Sequence, residues 1–349
     1  MAHKKIQIQL ENGELIEAQA PVIISASRST DIPTFYADWF FDRLNKGYLV
    51  WKNPFNGVKS YVSFKKTRFI VFWSKNPAPL IDHLDTLKDK KIGCYIQYTL
   101  NDYDRNLERF LPPLQKRIDT FKKMVDELGY GRVIWRFDPL VLTDNIDCDS
   151  LLEKIEKIAN QLNGYTEKLV FSYADISTYK KVKRNLEKAD INYIEWKDDE
   201  MDIFAKRLAE LNKSNWNFKL ATCAEKIDLT KYGIEHNKCI DDELIVKLAY
   251  KDEILLKYLN YTIEFPDLFG EIHNNAIKLP DGSFAVKNKN LKDKGQRDHC
   301  ECIESKDIGE YNTCPHGCEY CYANSSIEKA KEQFKKHCTN KHSETITGK

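Results

Sequence analysis

The stretch FIVFWSKN, residues 69–76, contains the two features that decide the fold. Its first five residues, 69–73, form an apolar run rich in β-branched and aromatic side chains, which predicts a short buried strand. The run then ends in the polar residues Lys75 and Asn76. The architecture depends on whether this pattern of a buried strand with a polar carboxyl end recurs along the chain.

The pattern does recur, and amphipathic stretches separate most of the strands. The predicted strands are residues 22–27, 69–76, 94–100, 133–139, 168–175 and 218–225. The predicted helices are residues 34–45, 78–87, 114–128, 150–162, 176–189 and 201–211. Apolar strands that alternate with helices predict an α/β fold whose parallel sheet is buried on both faces. We expect a parallel (β/α) barrel or partial barrel over residues 1–250. Beyond about Asp252 the pattern fades into loops, so we expect residues 251–349 to form a C-terminal segment that packs over the barrel mouth.

Length, charge and hydropathy set the class of protein. A chain of 349 residues with a formal net charge of +1 can build a full core but has no basic surface bias toward a nucleic-acid backbone, which argues against direct tRNA binding. No run of 18 apolar residues exists, and the N-terminus lacks a signal-peptide pattern, so we expect no membrane span and a cytoplasmic location. In a reducing compartment, ten cysteines indicate metal or redox chemistry rather than disulfides.

Polar side chains stand at the carboxyl ends of nearly all the predicted strands. They are Arg28, Asp31, Lys75, Asn76, Gln97, Thr99, Arg136, Asp138, Ser172, Asp175 and Glu225. In a parallel barrel these ends form the active-site face. Asp31 and Asp175 also precede helical stretches, where an aspartate is a common N-cap. Arg and Lys do not cap helix N-termini, so the whole set favours a polar bowl that binds a small polar molecule.

The segment CPHGCEYCYAN, residues 314–324, spaces Cys314, Cys318 and Cys321 as C-x3-C-x2-C with Tyr320 before the third cysteine. A 4Fe–4S cluster normally takes four ligands, so three thiolates leave one iron open. S-adenosylmethionine can chelate that iron, and the spacing is typical of radical SAM enzymes. The alternative is a structural zinc site that pairs Cys318 and Cys321 with Cys300 and Cys302, although it leaves Cys314 unexplained. The position near the C-terminus favours a rearranged barrel whose cluster loop folds back over the mouth.

Four further cysteines suggest a second metal site. Cys223 ends a predicted strand, Cys239 precedes a helix, and Cys300 and Cys302 lie together in QRDHCEC. Four thiolates could hold a second Fe–S cluster or a zinc ion. The alternative is that they are buried free cysteines, which behave as small apolar residues.

The assembled motifs resemble those of the DUF1848 family. They are SASRSTDIP, WKNPFN, FWSKNPAP, QYTL, VIWRFDP, ATCAE, DKGQRDHCEC and DIGEYNTCPHGCEYCYAN, between about residues 24 and 324. The resemblance implies a radical-SAM-like fold with its 4Fe–4S motif in a C-terminal cysteine-rich segment. It also implies queuine lyase activity, which releases 7-aminomethyl-7-deazaguanine (preQ1) from queuine in queuosine salvage for tRNA modification. An external electron donor such as flavodoxin or ferredoxin would then be needed.

Queuine has a donor-rich base edge, two hydroxyls and a secondary amine that is protonated near neutral pH. Carboxylates suit these groups, so Asp31, Asp138, Asp175 and Glu225 are the predicted substrate-binding residues. Asp31, Lys75, Asp138 and Glu225 are the predicted acid–base residues. Arg28, Asn76, Gln97, Arg136 and Ser172 are the predicted residues for S-adenosylmethionine. Two alternatives stay open: a radical SAM enzyme for another modified nucleobase or nucleic acid, and a zinc-stabilised nucleic-acid-binding protein.

Overall fold

The computed structural model describes residues 4–54, 56–266 and 276–348. The strands are β1 Lys5–Gln9, β2 Leu15–Gln19, β3 Ile23–Ala26, β4 Tyr48–Lys52, β5 Lys59–Ser63, β6 Phe69–Ser74, β7 Gly93–Thr99, β8 Val133–Leu140, β9 Leu142–Thr143, β10 Lys168–Tyr173, β11 Tyr193–Ile194, β12 Lys219–Thr222, β13 Ile234–His236, β14 Tyr261–Glu264, β15 Ile277–Lys278, β16 Phe284–Lys287 and β17 Lys306–Asp307. The α-helices are α1 Ile32–Phe35, α2 Ala37–Lys46, α3 Leu84–Asp89, α4 Leu114–Leu128, α5 Cys148–Leu162, α6 Lys180–Lys188, α7 Asp198–Asn215, α8 Asp242–Ala249, α9 Glu253–Leu259 and α10 Ile327–Thr339. Short 3₁₀ helices cover Ala78–His83 and Thr230–Tyr232.

The central element is a parallel sheet of eight strands in the order β13-β12-β10-β8-β7-β6-β3-β17. The six predicted strands become its six inner strands, which confirms the mixed α/β fold with a large parallel sheet. Barrel closure is not established, because β13 and β17 are the two edges of the sheet. The segments beside these edges do meet, since the Ile303 N–H donates to the Ile240 carbonyl at 3.1 Å.

Both faces of this sheet are buried, as the apolar strands predict. Alternate residues along a strand point to opposite faces. One face packs against the surrounding helices through side chains such as Ile24, Ile70, Ile96, Trp135 and Phe171. The other face presents Ile23, Val71, Tyr95, Ile134 and Val170 to residues that follow β13, including Ile240, Ile245 and Leu255. Helix α5 shows why the helices fit, because its buried residues Leu151, Ile155, Ile158 and Leu162 recur three or four positions apart.

The expectation that residues beyond 252 are loops is wrong. This region contains α9, the antiparallel strands β14–β16, strand β17 and helix α10. Its strands have two to four residues each, too few to show the alternation that identifies a strand from sequence. Strand β17 pairs with β3, so the region adds a strand to the central sheet. The boundary after residue 250 stays a prediction.

Two smaller structures flank the central sheet. Strands β1, β2, β5 and β4 form a separate four-stranded sheet, and β9 pairs with β11. Helix α10 packs Phe334 edge-on against Phe35 and Tyr36, which brings the residues after the cysteine motif back onto α1 and the start of α2. No helix in the described part of the chain is long and apolar enough to cross a membrane.

Candidate functional site

Residues 314–321, here called the three-cysteine loop, dock on the segment that follows β7. The Arg109 N–H donates to the Gly317 carbonyl at 3.3 Å and the Phe110 N–H to the His316 carbonyl at 3.0 Å. Gly317 has a φ of +71°, and a Cβ at this position would lie 2.8 Å from the Phe110 ring. Only glycine allows both the backbone conformation and the close approach. The loop therefore packs closely against the residues that follow β7.

Asp31 connects this loop to the end of β6. Its carboxylate accepts hydrogen bonds from Thr34 N at 3.0 Å, Ser74 Oγ at 2.7 Å, Lys75 N at 2.8 Å and His316 Nε2 at 2.8 Å. Burial acts to raise the pKa of Asp31, but the hydrogen bond from His316 and those from Lys75 N and Ser74 outweigh it and lower the pKa. The N-cap interpretation is correct, since Asp31 caps α1. Four donors satisfy this carboxylate, so it positions His316 and the loop.

Lys75 forms the second connection, through Glu108 and Tyr320. The Lys75 ammonium lies 2.8 Å from Glu108 Oε1 and 2.7 Å from the Tyr320 hydroxyl, which itself donates to Glu108. Glu108 is 2% exposed, and Arg117 Nη1 lies 3.6 Å from its other oxygen. Burial acts to raise the pKa of Glu108, but the charges of Lys75 and Arg117 outweigh it and lower the pKa. Sequence reasoning missed Glu108, which lies in a polar loop eight residues beyond the predicted strand end at residue 100.

The thiols of Cys314, Cys318 and Cys321 lie in this buried, charged setting. Burial raises the pKa of all three, and the proximity of the other loop thiols raises those of Cys314 and Cys318 further. In the described parts of the chain, no group of three or more His, Cys, Asp or Glu side chains is arranged to hold a metal ion as it stands. The donor set itself fits a three-thiolate group, because the three thiols share one eight-residue loop and those of Cys318 and Cys321 lie near the Lys75 ammonium.

Arg136 is the centre of a second polar network, on the sheet face that the residues after β13 cover. Its Nη1 donates to Gln97 Oε1 at 3.2 Å and to Cys239 Sγ at 3.1 Å, and its Nε donates to Asp138 at 3.1 Å. Ser172 Oγ also donates to Asp138. Trp73 lies near two guanidinium groups, with Arg28 at 5.4 Å and Arg136 at 5.3 Å from its ring.

Register explains this network. Trp73 pairs with Gln97 across β6 and β7, Gln97 with Ile134 across β7 and β8, and Arg136 with Val170 across β8 and β10. Neighbouring parallel strands thus bring side chains of one face into adjacent rows. Strand β17 adds Asp307, whose Oδ2 accepts from Ser25 Oγ and from Arg28 N, both at 2.9 Å.

The remaining predicted residues differ in their placement. Glu225 accepts a hydrogen bond from Tyr173 N at 3.0 Å, and burial, with the nearby charges of Cys223 and Asp138, raises its pKa to about 8. Asp175 is exposed and accepts from Thr178 N at 3.3 Å, as a turn residue does. The backbone carbonyl of Asn76 accepts a hydrogen bond from the Thr34 hydroxyl. The side-chain Oδ1 of Asn76 is buried without a hydrogen-bond partner.

Cys223, Cys239, Cys300 and Cys302, here called the four-thiol group, come together in the structure. The sulfur atoms of Cys223 and Cys239 are 3.4 Å apart. The thiol of Cys302 lies near those of both Cys239 and Cys300. The other cysteines lie elsewhere: Cys94 is buried in β7, Cys148 is half-buried at the start of α5, and Cys338 is exposed on α10.

Two surface cavities lie apart from these residues. One of about 460 Å³ is bordered by the loops after β7 and β9, with Asp104, Asp144 and Asn192 in its wall. Another of about 310 Å³ lies beside α7 and is lined by Asn212 and Tyr232. Neither contains a sequence-predicted site residue, so neither is the expected polar bowl.

Comparison with known proteins identifies the family. Residues 23–323 match DUF1848, which is described as a domain of unknown function. No curated protein and no solved structure matches the chain. The matched region covers most of the chain and includes the sheet, the Arg136 network and all seven cysteines of the two groups. The chain therefore belongs to the DUF1848 family.

Proposed function

We propose that this protein is a radical SAM lyase that cleaves the C–N bond of queuine and releases 7-aminomethyl-7-deazaguanine. The observation that supports the proposal is the docking of the three-cysteine loop beside the carboxyl ends of β6 and β7, through Asp31 and Lys75. The segments beside the two sheet edges meet at Ile240 and Ile303. This contact supports a barrel-like enclosure of the sheet face that carries the Arg136 network. The predicted C-terminal segment would then carry the cluster motif over its mouth.

Cys314, Cys318 and Cys321 would hold the 4Fe–4S cluster. With S-adenosylmethionine bound, that cluster supplies a 5′-deoxyadenosyl radical. Two buried polar atoms without hydrogen-bond partners suit the amino-acid end of S-adenosylmethionine. The Arg28 guanidinium would bind its carboxylate through Nη2, and the Asn76 side-chain oxygen would accept its ammonium. Gln97, Arg136 and Ser172 are already bonded to Cys239 and Asp138, so their role is to fix the wall of the site.

Glu225 and Asp138 are the carboxylates best placed for queuine. Glu225 is partly buried and accepts a backbone N–H through one oxygen. Hydrogen bonds from the donor edge of the deazaguanine to the other oxygen would favour its charged form and offset the burial that raises its pKa to about 8. Asp138, held by Arg136 and Ser172, would accept the proton of the carbinol hydroxyl. Lys75 would keep the departing amine protonated, and Glu108 holds that ammonium in place. Asp31 acts as a positioning residue.

The proposal is tested by anaerobic incubation of the protein with S-adenosylmethionine, a reductant, and queuine or other deazapurines, followed by mass spectrometry. The expected products are 7-aminomethyl-7-deazaguanine and 5′-deoxyadenosine, and the Cys318→Ala variant should form neither. Cleavage of S-adenosylmethionine without turnover of queuine would indicate a radical SAM enzyme for another substrate. A colourless protein that cleaves nothing would instead favour the zinc-stabilised nucleic-acid-binding alternative, which filter binding to tRNA and DNA would then check.

A further inference from the structure

The four-thiol group joins three separated segments of the chain. Cys223 follows β12, Cys239 follows β13, and Cys300 and Cys302 lie in the turn before β17. These segments meet because the residues after β13 cover the sheet face on which Arg136 lies. Cys239 and Cys302 are 3% and 1% exposed. Buried cysteines that merely fill a core have no reason to lie together, whereas a metal site needs this convergence.

Hydrogen-bond donors converge on two of the four sulfur atoms, as they do on metal-bound thiolates. Cys239 Sγ accepts from Arg136 Nη1 and from Asn237 Nδ2, both at 3.1 Å. Cys302 Sγ accepts from the backbone N–H groups of Cys239 at 3.2 Å and Ile240 at 3.4 Å. Arg28 Nη2 is buried nearby without a hydrogen-bond partner. Two guanidinium groups and three N–H donors form a cationic setting that offsets the net negative charge of a metal–thiolate centre.

We propose that Cys223, Cys239, Cys300 and Cys302 bind one zinc ion in tetrahedral geometry. The separation of 3.4 Å between Cys223 Sγ and Cys239 Sγ is close to the roughly 3.8 Å edge of a tetrahedron with zinc–sulfur bonds of about 2.3 Å. An iron–sulfur cluster places each thiolate on its own iron and would separate the sulfurs further. The thiols lie in the order Cys300, Cys302, Cys239 and Cys223, and no three of them are yet arranged about one point, so zinc binding requires their side chains to turn toward one centre.

Such a site would stabilise the fold and would not take part in a reaction. Four ligands leave zinc no open position, which is the mark of a structural site. The ion would tie the end of β12 to both edges of the central sheet, beside the hydrogen bond between Ile303 and Ile240. It would also fix Cys239, which accepts the Arg136 guanidinium, and so stabilise the polar face. This inference does not depend on the queuine lyase proposal, because the four thiols are separate from the three-cysteine loop.

The test uses the variant Cys314→Ala/Cys318→Ala/Cys321→Ala, which lacks the three-cysteine ligands, purified without a histidine tag. We expect about one zinc and no iron per chain by elemental analysis. Cys239→Ser or Cys302→Ser on this background should lose the zinc, whereas the matched controls Cys94→Ser and Cys148→Ser should retain it. Cobalt should replace the zinc in the triple variant and give the visible absorption of a tetrahedral cobalt–thiolate site. This measurement does not depend on whether the Cys239→Ser or Cys302→Ser variant folds.

Three outcomes would overturn the inference. A triple variant that is free of zinc and takes up no cobalt shows that the thiols pack as free cysteines. About four irons per chain in the triple variant would show a second cluster in place of zinc. A mass lower by two hydrogens, with Cys223 and Cys239 joined in a tryptic peptide, would show a disulfide pair.

Discussion

The three-cysteine loop and the four-thiol group are both buried sets of cysteines, but they are built in opposite ways. The loop gathers its thiols within residues 314–321, whereas the four-thiol group draws on residues from 223 to 302. Carboxylate, imidazole and ammonium groups surround the loop, and guanidinium groups face the four thiols. Three ligands leave a metal open to a substrate, and four close it. The difference teaches that local spacing reveals a set of cysteines within one loop, while a set drawn from distant segments depends on the topology of the sheet.

The largest expected effect separates the two groups by chemistry. Cys314→Ala, Cys318→Ala or Cys321→Ala should each abolish the cleavage of S-adenosylmethionine, because each removes one of the three proposed ligands of the cluster. Circular dichroism should show an intact fold. Cys338→Ala, an exposed cysteine on α10, is the control and should cleave at the wild-type rate. Wild-type cleavage by any of the three loop variants would remove the basis for the assignment.

The second effect concerns how the loop is held. Asp31→Asn keeps the shape of the side chain but turns one acceptor oxygen into a donor, which then faces two donors: Thr34 N and Ser74 Oγ on one side, or Lys75 N and His316 Nε2 on the other. We expect a loss of about 3 kcal/mol in the free energy of unfolding, as for a broken buried ion pair. Iron content should fall while zinc content stays near one per chain. Equal losses of both metals would mean that the two groups are not independently held.

The third effect concerns the border between the two regions, where Glu225 lies two residues from Cys223. Glu225→Gln places an amide against the donor edge of queuine, and the expected loss of binding is about 100-fold, or about 2.7 kcal/mol. Asp175→Asn is the matched control, because Asp175 is exposed at a turn. Anaerobic calorimetry with queuine measures both. Wild-type affinity in Glu225→Gln would place the base elsewhere.

The smallest effect concerns Asp242, which supports the four-thiol side. It is fully buried at the start of α8, 2.7 Å from Lys287 Nζ, and accepts the Tyr261 hydroxyl at 2.8 Å. Burial acts to raise the pKa of Asp242, but Lys287 and Lys238 outweigh it and lower the pKa. Its contribution to stability is therefore present above the ordinary value of 3.8 and is lost as the pH falls through the lowered pKa.

Asp242→Asn should lower the free energy of unfolding at pH 7 by about 2 kcal/mol, since its lysine partners are partly exposed. The difference from wild type should shrink as the pH falls below 4. Urea melts at pH 7, 5 and 3 measure this change. A difference that stays constant with pH would show that packing, and not charge, makes the contribution.

The sequence predicts the sheet well where the elements are long. The helix expected at residues 114–128 is α4, Leu114–Leu128, and the strand expected at 133–139 is β8, Val133–Leu140. In these long elements the apolar residues recur at regular spacing over many positions, which identifies the element type from sequence alone. Strands β13 and β17 have three and two residues, and only their neighbours in the sheet make them strands. No local pattern could show them.

The candidate site was predicted in part for the same reason. Gln97, Arg136, Asp138 and Ser172 lie together because parallel strands align their carboxyl ends. Asp31 satisfies four donors, a role that depends on His316 from a distant segment. Glu108 lies beyond a strand end, so the rule that selects strand ends could not find it.

The pairing of β17 with β3 also orders events during synthesis. Ser25 and Arg28 emerge from the ribosome early, but their partner Asp307 is made almost three hundred residues later. The β17 edge of the sheet cannot form until Asp307 has been synthesised, and contacts between residues so far apart in sequence form slowly. The thiols at positions 300 and 302 and those of residues 314–321 are made at the same late stage. If the two groups bind metals as proposed, both can be loaded only after translation has passed these residues, because a nascent chain stalled earlier lacks part of each ligand set.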